Sequence, residues 1–130
     1  MPWHLLELIK EQNSDKIREM IELLAELKRR KEMGSVRFDM CINKETKKIT
    51  KMAHWYWGMG RIQRITCGDE ERFISVEFRI PYIVPGFERI ARTIAEEYEY
   101  QVEQEIEELK NEIYEQLLEE ELQLLRESHT

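Results

Sequence analysis

Apolar side chains change period twice along this chain, and the changes mark three regions. In the first the spacing is helical. Leu5, Leu6, Leu8 and Ile9 form one cluster, and Ile17, Met20, Ile21, Leu24 and Leu27 fall on one buried helix face. Pro2 suits a first helical turn, Asn13-Ser14-Asp15 supplies a break and an N-cap, and Gly34 is the natural residue after the helix end. Lys28, Arg29, Arg30 and Lys31 put cations in the last turn, where they offset the helix dipole. The pattern allows one helix or two over residues 3–33.

In the second region the period drops to two. Val36, Phe38, Met40 and Ile42 alternate with Arg37, Asp39, Cys41 and Asn43, which predicts a half-buried strand. Asn43–Lys47 is a polar turn, and Ile49–Trp57 reads as the return strand. Gly58-Met59-Gly60 interrupts it, Arg61–Thr66 is expected as a short third strand, and Gly68-Asp69 turns the chain again. Arg72–Ile80 closes the set, with Ile74, Val76, Phe78 and Ile80 on one face. Short connections favour hairpins, so a four-stranded antiparallel meander is expected. If Ile42 lies opposite Ile49, then Ala53, Trp55 and Trp57 join Val36, Phe38 and Met40 inside. His54 and Tyr56 then face outward with Arg37 and Lys48.

Pro81 and Pro85-Gly86 end the sheet, and no Gly or Pro follows between Phe87 and Glu127. A single helix of roughly 40 residues, about 60 Å long, is predicted. Steps of 4, 4 and 3 from Phe87 pass through Ala91, Ala95, Tyr98, Val102, Ile106, Leu109, Ile113, Leu117, Glu120 and Leu124, and only Glu120 is polar. An eleven-residue repeat has ~3.67 residues per turn and gives a nearly straight or slightly right-handed stripe. Ile90 and Ile94 widen the stripe at its start, and Leu118, Leu122 and Leu125 at its finish. The fold class is therefore α+β: an N-terminal helical segment, a four-stranded antiparallel sheet and a long C-terminal helix. Residues 1–86 form the helix-plus-sheet unit and residues 87–130 the acidic helix.

Neither the N-terminal helix nor the sheet is long enough to cover a 60 Å stripe alone. Uncovered leucines in water invite association. The expected partner is a second copy, and the expected interface residues are Leu109, Ile113, Leu117, Leu118, Leu122, Leu124 and Leu125. The alternative is an intramolecular hairpin with the N-terminal helix.

Charge sharpens this picture. The chain has 130 residues and a formal net charge of −7. Residues 36–68 hold seven cations and two anions, while residues 87–130 hold four cations and fourteen glutamates. Parallel helices would set glutamate beside glutamate, so an antiparallel pair, or docking on a basic surface, is favoured. The basic middle also carries aromatics. Arg37, Lys48, His54, Tyr56, Arg61 and Arg64 are candidate nucleic-acid contacts, since phosphates attract cations and bases stack on rings.

Other chemistries find little support. His4, His54 and His129 are the only histidines, and neither HExxH nor CxxC occurs, so no metal or cofactor is expected. GxSxG, Walker A and GxGxxG are absent, so no catalytic residue is assigned. No apolar run reaches the ~18 residues of a membrane span, and the first residues lack a basic signal-peptide start. An intracellular or virion protein is expected. Cys41 and Cys67 read as two reduced thiols, with a Cys41–Cys67 bridge as the alternative. The richness in Glu, Lys, Arg and Ile is similar to that of hyperthermophile proteins, including small proteins of thermophilic archaea and their viruses. The sequence therefore predicts a non-enzymatic homo-oligomeric assembly or interaction protein, with a dimeric nucleic-acid-binding regulator as the alternative.

Overall fold

Asn13 divides the N-terminal helical region in two. The structure, a computed structural model, describes residues 3–128. Helix α1 spans Trp3–Gln12 and α2 spans Ser14–Arg29. Asn13 is only 2% exposed, yet its side chain caps nothing. Its amide nitrogen donates to the carbonyls of Ile9 (3.1 Å) and Lys47 (2.8 Å), and its Oδ1 accepts from the Ile49 N–H (2.7 Å). The expected N-cap is instead a buried clasp between the helix break and a strand turn. A buried amide is tolerated because three of its hydrogen-bonding positions are filled.

Helix α2 ends earlier than Gly34. Lys31 takes the left-handed conformation at φ 59°, its N–H bonds Lys28 O at 3.0 Å, and the Glu32 N–H bonds Leu27 O at 3.0 Å. This pair of bonds is the Schellman closure, built on lysine where glycine is usual. Gly34 (φ 86°) serves the strand entry, and its carbonyl accepts from the Ile80 N–H.

Strands β1 (Ser35–Asn43), β2 (Ile49–Tyr56) and β3 (Glu71–Arg79) form one antiparallel sheet in the order β2-β1-β3. The expected meander of four strands is thus a three-stranded sheet with the first strand in the middle. Arg61–Thr66 is not a strand. Its two isoleucines, Ile62 and Ile65, are three apart rather than two, so they present no strand face. The segment belongs to a connection from Trp57 to Glu70, opened by a single 3₁₀ turn at Trp57–Met59. That connection carries the chain past β1 to its far side.

The β1–β2 register contains a bulge. Ile42 does pair with Ile49, but Cys41 pairs with Lys51, so Thr50 is an extra residue. One extra residue exchanges the faces of everything beyond it. Met52, His54 and Tyr56 therefore lie opposite Met40, Phe38 and Val36, while Ala53 and Trp55 lie opposite Asp39 and Arg37. This overturns the expected placement of His54 and Tyr56 outward and of Trp55 beside Val36, Phe38 and Met40; Ala53 is buried as expected, but on the second face. Trp57 is 81% exposed, not core.

Cys41 and Cys67 form a disulfide with a Cα–Cα separation of 5.5 Å, so the expectation of two free thiols does not hold. Alternation puts Cys41 on the face of β1 opposite Val36, Phe38 and Met40. The bridge therefore fastens the connection to that second face. Lys51 Nζ adds a 2.8 Å hydrogen bond to the Thr66 carbonyl.

Helix α3 runs without interruption over Phe87–Ser128, as the absence of Gly and Pro predicts. Its buried residues are Ile90, Ala91, Ile94, Ala95 and Tyr98, all in the first four turns. They join Ile17, Met20, Leu24 and Leu27 of α2 and the inner face of the sheet among the buried residues. At its start, Glu88 accepts from Lys10 Nζ of α1 at 2.8 Å. That hydrogen bond raises the Lys10 pKa above 10.5 and lowers that of Glu88 below 4.5. The chain divides into two compact units, Met1–Tyr98 and Glu99–Thr130.

Candidate interaction surface

The second unit is a helix with no interior. Every residue from Glu103 to Ser128 is exposed. The apolar row nevertheless continues through it: Leu109 is 56%, Leu117 57% and Leu124 65% exposed, with Ile106 and Ile113 near half. The other expected interface residues, Leu118, Leu122 and Leu125, are exposed beside that row. Tyr114, 64% exposed, was missing from the expected set. It starts a second row by the same 4, 4, 3 step, Tyr114-Leu118-Leu122-Leu125, and that spacing could have found it. Only this side of the stripe has a second apolar row. The opposite flank reads Glu105, Glu108, Glu112, Gln116, Glu119 and Gln123.

Polar contacts within the unit are local. Gln123 Nε2 donates to Glu127 Oε1 at 3.3 Å, and the Ser128 hydroxyl donates to the Leu125 carbonyl at 2.8 Å. Among the described residues the unit's two cations, Lys110 and Arg126, have no ion-pair partner in their own chain.

The candidate nucleic-acid residues are not gathered into one surface. Arg37 is on the second face of the sheet, 3.1 Å from Asp39 Oδ1, and Asp39 also accepts from Ser75 at 2.7 Å. His54 is on the inner face, its ring 6.3 Å from that of Phe38. Tyr56 Oη accepts from Arg30 Nη1 at 3.3 Å. Lys48 is exposed at the hairpin turn, and Arg61 and Arg64 are exposed on the connection. Neighbouring lysines are engaged within the fold: Lys44 Nζ donates to Asp69 O at 3.1 Å, and Lys47 Nζ sits 5.1 Å from the Tyr98 ring centre. The bulge at Thr50 causes this scatter, because it separates His54 and Tyr56 from Arg37.

Among the described residues no three His, Cys, Asp or Glu side chains converge on a metal position, and His129 lies outside them. No described helix is long and apolar enough to cross a membrane. One surface hollow of about 470 Å³ is only one side of α3 around Leu122 and Arg126. No protein-family description, curated protein or solved structure matches the chain.

Proposed function

We propose that this protein is a structural or assembly component that joins copies of itself through the apolar side of α3 beyond Tyr98, and that it carries no reaction of its own. One observation supports the reading above the others. The helix holds nine large apolar side chains between Ile106 and Leu125, each at least 43% exposed. Isolated apolar residues on a surface need no explanation, but two parallel rows do. A lone helix with such a face is stabilised mainly by packing against something else.

Sedimentation velocity over a dilution series tests the reading. Self-association at micromolar concentration is the expected result, and a monomer there overturns it. Replacing Leu117 and Leu124 together with Lys should dissociate the assembly while leaving the near-ultraviolet signal of the buried aromatics unchanged. An unchanged mass would remove this face from the interface.

A dimeric nucleic-acid-binding regulator is the weaker reading. Its support is narrower: Trp57 stands exposed at the start of the connection that also carries Arg61 and Arg64. Filter binding to DNA and RNA across a salt series decides it, since phosphate contacts must weaken steeply with salt.

A further inference from the structure

The exposed stretch of α3 carries enough pattern to say what covers it and in which direction. We propose that the occupant is the same stretch of a second copy, laid antiparallel about a twofold axis beside Glu115, so that Lys110 of each copy meets the partner's Glu120. The proposal rests on the self-assembly reading and adds the orientation and register.

Three observations lead to it. The first is extent. The exposed span is Glu103–Ser128, and its midpoint falls between Glu115 and Gln116. An antiparallel pair centred there uses the whole uncovered length and stops short of the buried turn at Tyr98. It also pairs Ile113 with the partner's Leu117 and Ile106 with the partner's Leu124.

The second is charge. Glu120 is the single polar break in the apolar row, and Lys110 lies beside the row next to Leu109. About a centre at Glu115 these two positions are mirror images. The twofold therefore forms the contact twice. The same operation sets Arg126 opposite the partner's Gln104, within one turn of the partner's Glu103 and Glu107. Both cations, which lack an ion-pair partner among the described residues of their own chain, gain glutamates. A parallel in-register pair would instead stack Lys110 on lysine and Glu120 on glutamate.

The third is the one-sided second row. In a parallel pair the twofold runs along the helices, and one flank of a helix faces the opposite flank of its mate. Tyr114 and Leu118 would then meet glutamates and glutamines, whereas Leu122 lies near glutamate in either orientation, opposite the partner's Glu108 in the antiparallel one. In an antiparallel pair the twofold is perpendicular, and each flank faces its own kind. Tyr114 then packs beside the partner's Leu118, and Leu118 beside the partner's Tyr114. Nine half-exposed side chains per copy offer several hundred square ångströms, within reach of the ~800 Å² per partner of a standard interface.

The test uses the full chain with one added cysteine for a spin label, since Cys41 and Cys67 are already bonded to each other. With the label at Glu127→Cys, the antiparallel register puts the two labelled backbones about 36 Å apart along the helices. A parallel pair puts them ~10 Å apart. An equimolar mixture of chains labelled at Gln104→Cys and at Glu127→Cys should add a short distance. A short 127–127 distance in a dimer overturns the orientation and leaves self-assembly standing. A monomer in sedimentation overturns both.

Charge exchange gives a second readout. Lys110→Glu should raise the dissociation constant about tenfold, because two symmetric attractions become repulsions. Adding Glu120→Lys to it should restore the original value within about twofold. Loss without rescue, together with open-ended growth in sedimentation, would place the tail on a neighbour's basic segment around Lys48, Arg61 and Arg64. That outcome overturns the proposal.

Discussion

Two stretches of this molecule use the same apolar residues to opposite ends. In the unit up to Tyr98, leucines and isoleucines of α1 and α2 vanish from solvent: Leu6, Ile9, Ile17, Leu24 and Leu27 are each 0% exposed. Beyond Glu99 the same residue types recur at helical spacing and none is buried. Composition and periodicity do not separate the two cases. What separates them is the number of elements available to pack. Two helices, three strands and the first turns of α3 can close around a core. A lone helix cannot bury its own stripe. The first unit therefore holds its stability within the chain, and the second buries no apolar residue there.

The contrast is tested most severely by making one change in both places. Leu24→Ala should cost about 2–5 kcal/mol in urea denaturation, independent of protein concentration. Leu124→Ala should leave the unfolding of the dilute chain within about 0.5 kcal/mol and act on association instead. Equal losses at the two sites would erase the distinction. Next in size is the bridge. Reducing Cys41–Cys67 with a dithiol removes a constraint across a sequence separation of 26 residues, worth about 3 kcal/mol, and should lower the melting temperature of the first unit. The helical signal of residues 99–128 should not follow it down.

Asn13→Ala comes third. It orphans the Ile49 N–H and removes donors from two carbonyls, so a loss of about 2 kcal/mol is expected from denaturation curves. Asn13→Asp should not restore it, because a carboxylate cannot donate to Ile9 and Lys47. The smallest effect is Glu88→Gln, read as stability against pH. The folded-state pKa of Glu88 is lowered, so its contribution is present above its unfolded value of 4.5 and fades as pH falls through the folded one. Lys10 is raised, so its share is present below 10.5 and fades as pH climbs through the folded value. The variant should therefore differ from the parent only between those limits, and less in high salt.

These outcomes also bear on what a reader of the sequence could and could not see. Helices were legible because Ile17 to Leu27 and the row from Phe87 repeat with fixed steps, and spacing is a local property. Strands β1 and β3 were legible for the same reason. The side of the sheet that His54 and Trp55 take was not. It depends on Thr50 being skipped in the ladder, and an extra residue leaves no mark in an alternation that is already broken at Lys48. Strand order was equally hidden, since a long connection and a short strand look alike when neither has a period. The pairing of Cys41 with Cys67 follows from that order, because only the passage of the connection over β1 brings the two together. The exposed face of α3 was readable in advance, Tyr114 aside, because it depends on one helix and nothing else.

The central position of β1 has a consequence for how the chain assembles. Its two neighbours are reached on unequal terms. The mate β2 follows a tight turn at Asn43–Lys48, whereas β3 must come round through the whole passage from Trp57 to Glu70. Closing a short hairpin takes microseconds, and a longer excursion has more conformational freedom to lose first. A refolding chain should thus protect the β1 amides that point toward β2 before those that point toward β3. Oxidation of the thiols, arriving after both, would seal an arrangement already made.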